Sequence, residues 1–265
     1  MRKFSTKQKL AIGVAVATIA ATPVLANHSW NGYHWSRSTA ELNVQVGDNV
    51  TNVWDSYLTT AIADWNKSTV INSPKVIGSA GDPKQCRAVA GTIQVCNAAY
   101  GQRGWLGIAT IWLSGGHISQ GTTKLNDTYF AFAKYNTPTW RALVTCQEVG
   151  HNYGLGHQDE DFNTDSTNSC MDYTNFPAGN EHPDAHDYEQ LLSIYNHTES
   201  GTNLPSGTRG SSGVLAGDTP AEWGRAVHFD RQGRPDYFEL NEGNGNRKIT
   251  HVFWAIGEGP RNMRS

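Results

Sequence analysis

Apolar and polar positions alternate from Glu41 to Val46, with Leu42, Val44 and Val46 set against Glu41, Asn43 and Gln45. A period of two predicts a half-buried strand. The period then changes. From about Val53 to Lys67, Trp54, Leu58, Ala61, Ile62 and Trp65 recur at helical spacing, which predicts an amphipathic helix with both tryptophans in the core. Lys75–Ile77 and Gly91–Cys96 read as strands. Leu106 to Leu113 is apolar on both faces and rich in β-formers, so it reads as a strand ended by Gly115-Gly116, and Thr128 to Ala133 as another. A second helix is predicted from Thr137-Pro138, because threonine caps and proline fits the first turn. It runs through Trp140, Leu143, Val144 and Glu148 to about Tyr153, where Gly154 ends it. Residues 158–183 are polar and irregular. A third helix over about Ala185–His197 places Tyr188, Leu191, Leu192 and Tyr195 on one face.

The two ends read differently. Arg2, Lys3, Lys7 and Lys9 precede an apolar run from Leu10 to Ala21, and Pro23 and the small residues of Val24-Leu25-Ala26 follow. This is the pattern of a secretory signal over residues 1–26, cleaved after Ala26. The run is shorter than the roughly 20 residues a membrane span needs. From Thr198 to Gly213 the composition shifts to Gly, Ser, Thr, Asn and Pro, which marks a linker. Residues 214–265 hold three strand-like runs, at Ala226–Phe229, Tyr237–Leu240 and Ile249–Ile256, and read as a small β-rich appendage to a main domain over 27–197.

Charge and cysteines narrow the setting. The formal charge of the 265-residue chain is −3, and the leader carries four cations and no anion, so the remainder is more acidic. An acidic protein argues against nucleic acid as a partner. The destination is extracytoplasmic, the periplasm included, with no membrane contact after cleavage and a monomer expected. Four cysteines in an oxidising compartment imply two disulfides, with three connectivities open. Cys86 with Cys96 would close a short loop between two strand-like runs.

The candidate chemistry lies in Gln147-Glu148-Val149-Gly150-His151-Asn152-Tyr153-Gly154-Leu155-Gly156-His157. Helical residues four apart share a face, so positions 147 and 151 can grip one ion, with Glu148 beside them to polarise water. Gly154 permits the left-handed turn that swings His157 back to the same point. Zinc with three protein ligands and one open position is the catalytic form, and Glu148 would be the general base.

This stretch resembles the active site of the metzincin zinc endopeptidases, the matrixin-like branch in particular, with Gln147 where the family carries its first histidine. Ser169-Cys170-Met171-Asp172-Tyr173 resembles the family's Met-turn, whose methionine lies beneath the metal. The resemblance spans about residues 30–197. It implies an α+β catalytic domain, a twisted mixed sheet with three main helices, one catalytic zinc and a protein or peptide substrate. It implies that Cys146 and Cys170 meet as a disulfide and that Tyr173 binds zinc or stabilises the oxyanion. It also implies that Leu106–Leu113 is the rim strand to which an extended substrate adds.

Gln147 leaves three readings. Its amide oxygen ligates zinc; or His151, His157 and another group, Tyr173 or Asp159 being nearest in sequence, hold the ion; or the fold persists as a silent extracellular binding module. Other features are blander. His182 and His186 read as a solvated helix cap, and His117 as a loop residue. Asn126-Asp127 and Asp159-Glu160-Asp161 could ligate calcium but lack EF-hand spacing, and read as surface or as orienters of the metal ligands. Trp30, Trp35, Trp223 and Trp254 are open candidates for sugar platforms.

Overall fold

The computed structural model describes residues 28–163, 168–199 and 213–260. The expected leader and nearly all of the expected linker lie outside the described residues. The N-terminal elements are β1 (His34–Trp35), β2 (Leu42–Asn43), β3 (Gln45–Asn49), α1 (Asn52–Trp65), β4 (Ile71–Asn72), β5 (Lys75–Ile77) and β6 (Thr92–Ala98). A hairpin of β7 (Trp105–Ser114) and β8 (His117–Asn126) follows, then α2 (Asp127–Phe130), α3 (Pro138–His151) and α4 (Ala185–Ile194). The chain closes with α5 (Pro220–Trp223), β9 (Arg225–Phe229), β10 (Pro235–Gly243) and β11 (Asn246–Trp254). Among the described residues no helix is long and apolar enough to cross a membrane.

The fold is a mixed α/β architecture around one large mixed sheet, ordered β5-β3-β6-β8-β7-β11-β10-β9, with β1 paired to β8. Strands β3, β5, β6 and β8 are parallel, whereas β7, β9, β10 and β11 are joined antiparallel. Helices α1 and α3 pack on it. Trp54, Leu58, Ile62 and Trp65 of α1 share a core with Leu143, Val144 and Val149 of α3. The Trp65 indole donates to the Cys146 carbonyl at 3.1 Å, which sets how α1 meets α3.

Four expectations change. Thr128–Ala133 is not a strand; Asp127–Phe130 is a short helix, capped by the Asn126 side chain accepting from the Thr128 amide. The strand of that region is β8, which the hydrophobic pattern hides because Ser119, Gln120, Thr122, Thr123 and Lys124 are all buried. Lys124 is tolerated there because its ammonium reaches Asp218 at 2.7 Å. The expected appendage is instead three strands of the main sheet. Strand β11 runs along the whole of β7, from Asn246 opposite Ser114 to Trp254 opposite Trp105. The outer edge of β7 is therefore paired, and an extended substrate has no free strand there to extend. Finally, Trp30, Trp35, Trp223 and Trp254 are all buried, so none is an exposed sugar platform.

Both disulfides are present, Cys86 to Cys96 and Cys146 to Cys170. The second ties α3 to the segment containing Met171.

Candidate metal centre

Helix α3 starts as its sequence dictates: Thr137 accepts from the Trp140 amide at 3.2 Å and Pro138 occupies the first turn. His151 is its last residue. The chain then turns at Gly154, whose φ is +90°, and a Cβ there would lie 2.0 Å from the Tyr33 carbonyl oxygen. Only glycine meets both conditions. The turn is held by the Trp30 amide donating to the Gly154 carbonyl at 2.7 Å, and it brings His157 back beside His151, ring centroids 4.9 Å apart. Met171 lies under the helix at Gly150, where an added Cβ would come within 2.6 Å of its sulfur.

A third histidine completes the cluster. His251, from β11, sits with its ring centroid 4.0 Å from that of His151 and 4.8 Å from that of His157. Ligand-capable nitrogens of His151, His157 and His251 lie within 4.8 Å of one another, and all three residues are buried. Two of these nitrogens have no partner. His151 Nδ1 donates to the Leu155 carbonyl at 2.8 Å, which directs the Nε2 lone pair inward; His157 Nδ1 meets the Tyr237 hydroxyl at 3.1 Å. Both Nε2 atoms are buried and unsatisfied. Buried polar atoms are rarely left so, and convergent imidazole nitrogens suit a divalent transition ion, zinc above all.

Glu148 and Tyr173 adjoin the third histidine. Glu148 Oε2 lies 3.1 Å from His251 Nδ1, and its Oε1 is buried without a partner. The Tyr173 hydroxyl is 3.2 Å from His251 Nε2 and donates to Asp236 at 2.5 Å. Asp236 in turn holds His228 Nδ1 at 2.8 Å. A hydrogen-bonded line thus runs from Glu148 through His251, Tyr173 and Asp236 to the half-exposed His228. Burial drives the electrostatics. It pushes Glu148 up to about 8, against the pull of His151, and depresses His151 and His251 to about 3 and His157 well below its usual range. The imidazoles are therefore neutral, the form that binds metal. The Asp236 hydrogen bond raises His228.

Gln147 is fully buried at the same face of α3. Its amide nitrogen donates to the Cys170 carbonyl at 2.8 Å and the Asp172 carbonyl at 2.9 Å, so it clasps the turn around Met171, and its Oε1 has no partner. Replacing Gln147 with leucine strands two buried carbonyls. The expected loss is on the order of 2 kcal/mol of stability, read by urea unfolding, with zinc stoichiometry retained by the three histidines. Loss of zinc at unchanged stability would make the amide oxygen a ligand instead. Asp159, the other acidic candidate, lies 3.8 Å from Arg231. Glu160 stands 3.9 Å from His157 Nδ1 and 3.5 Å from His228.

A pocket of ≈ 330 Å³ opens beside the cluster and reaches it at His157 and Tyr237. His28, Trp30, Tyr33, Val227, His228 and Ile249 are among its lining residues. Sequence reasoning missed His251, Asp236 and Tyr237. His251 stands 103 residues from Glu148, with no spacing rule to connect them.

No protein-family model and no curated protein matches the chain. A distant structural neighbour is high choriolytic enzyme 1, a hatching-enzyme zinc protease of the medaka fish Oryzias latipes, at TM-score 0.35 and 12% identity, over 62% of this chain and 94% of that one.

Proposed function

We propose that this chain is a secreted zinc-dependent peptidase of the metzincin type, with its zinc ligands in His151, His157 and His251. The observation that carries the reading is the convergence of three buried imidazoles, two with unpartnered Nε2 atoms, beside the buried carboxyl of Glu148. The motif around Glu148, the turn at Gly154 and the turn at Met171 support the same reading. When bound, zinc supplies Lewis acidity there, polarising a peptide carbonyl, acidifying water and favouring the ionised form of Glu148. Glu148 takes the proton from the attacking water and returns it to the leaving amine. Tyr173 gives its hydroxyl proton to Asp236, so its oxygen faces His251 as an acceptor and orients that ring. Leu155 and Tyr237 hold the rings of His151 and His157 in place through Nδ1. Gln147 steadies the floor of the site. With the edge of β7 paired, a peptide reaches the centre from the pocket side, past Trp30 and Tyr237.

Two observations favour a second reading, a silent fold used as a binding module: β11 covers the β7 edge and Glu148 faces His251 rather than solvent. Digestion of an unfolded protein substrate by the purified chain separates the two. Under the peptidase reading cleavage is abolished by chelator, restored by zinc, and lowered at least about 100-fold by Glu148→Ala. Zinc-loaded protein that leaves the substrate intact sinks the peptidase reading and supports the module.

A further inference from the structure

A second group of metal-type donors sits elsewhere, sharing no residue with the buried centre. Strands β1 and β8 pair in register with His34 directly opposite His117, so two imidazoles stand side by side. The chain beyond α4 brings His197 and Glu199 to the same place. Glu199 Oε1 lies 3.2 Å from His197 Nε2 and 3.5 Å from His34 Nε2, and Oε2 lies 2.8 Å from His117 Nε2. The ligand-capable atoms of His34, His197 and Glu199 fall within 4.8 Å of one another.

We propose that His34, His197 and Glu199 hold a second zinc ion, one that braces the fold, while His117 holds the other carboxylate oxygen of Glu199. Four features carry this. Zinc–nitrogen and zinc–oxygen bonds near 2.1 Å in a tetrahedron set neighbouring ligand atoms ~3.3 Å apart, which is the spacing found around Glu199 Oε1. The His34 ring is preset, because Nδ1 donates to the Gly32 carbonyl at 2.8 Å and leaves Nε2 as the lone pair turned toward Glu199. The rings are edge-on rather than stacked, with interplanar angles of 83° for His34 and His117 and 79° for His34 and His197. The backbone is pinned: Arg37 donates to the His197 carbonyl at 3.1 Å and accepts from the Glu199 amide at 2.7 Å. Two imidazoles and one carboxylate supply three ligands and leave the fourth position of the tetrahedron to solvent.

The ion ties β1 to the chain beyond α4, and Glu199 Oε2 links both to His117 at the start of β8. Strand β1 follows directly on Trp30 and Tyr33, which wall the pocket at His157. A clamp at His34 therefore steadies that wall.

The test is zinc stoichiometry of the purified chain, stripped with chelator, titrated with zinc alone and read by elemental analysis after desalting. About two ions per chain are expected, about one in His34→Ala/His197→Ala and about one in His151→Ala/His157→Ala. Glu199→Gln keeps the shape of the side chain, so it leaves the circular dichroism of the metal-free protein unchanged and weakens the surface ion ~10-fold or more. A stoichiometry that His34→Ala/His197→Ala does not lower overturns the proposal, as does a His151→Ala/His157→Ala protein that folds yet takes no zinc. A wild-type chain with a single ion, lost in His34→Ala/His197→Ala, upholds this site and overturns the buried one.

Discussion

Replacing His251 with alanine should lower the zinc affinity of the buried centre by more than about 100-fold, while the surface ion stays in place. The magnitude follows from position. Groups that merely orient a ligand cost 10–100-fold when removed, and His251 is read as a ligand. Its ring stands closer to His151 than His157 does, 4.0 Å against 4.9 Å between centroids. The same change strips Glu148 of its 3.1 Å partner and leaves Tyr173 with Asp236 alone. Competition with a chromophoric chelator measures the affinity. An unchanged affinity would return the third ligand to Gln147, whose Oε1 is buried and unpartnered. In that case Gln147→Leu would release the ion, so the two substitutions together identify the ligand.

Truncating the chain after residue 213 should leave it unable to fold stably. As a detachable appendage, the tail would come away without consequence; as part of the sheet, it cannot. Removal takes Trp223, Tyr237, Phe238, Ile249, Val252, Phe253 and Trp254 out of the two cores they help build. Fully burying a large apolar side chain is worth about 1.5–3 kcal/mol, so the group contributes on the order of 10 kcal/mol or more. Whole domains are stable by about 5–15 kcal/mol. The β7 edge would also lose its ladder from Trp105 to Ser114, exposing an apolar strand prone to aggregate. Solubility on expression and the near-ultraviolet dichroism of the truncated chain report the outcome. A soluble, cooperatively folded truncation would show that the tail only covers the sheet.

Much of the site was legible in the residues of one helix and the turns after it. Glu148, His151 and His157 are brought together by α3 and Gly154, because local geometry fixes residues a few positions apart. Met171 falls under Gly150 and Cys146 meets Cys170, as the likeness around the Met-turn implied. Both α1 and α3 lie within a few residues of their periodic stretches, since a half-buried helix writes its buried face into the sequence. Strand β8 was illegible for the opposite reason: buried among other strands, it holds Ser119, Thr123 and Lys124 through partners rather than solvent, and no alternation survives.

The sequence by itself determined the local devices: the helix start at Thr137-Pro138, the carboxyl beside His151, the left-handed turn, the count of cysteines and the acidic surface. Tertiary structure alone decided that the tail enters the sheet beside β7, that His251 arrives at the centre Gln147 leaves short of an imidazole, and that His34, His117, His197 and Glu199 converge. Helix and turn geometry act over a few residues and can be read along the chain. Strand pairing joins segments at any separation, and its register is selected by the packing of whole faces, which no short stretch of sequence contains.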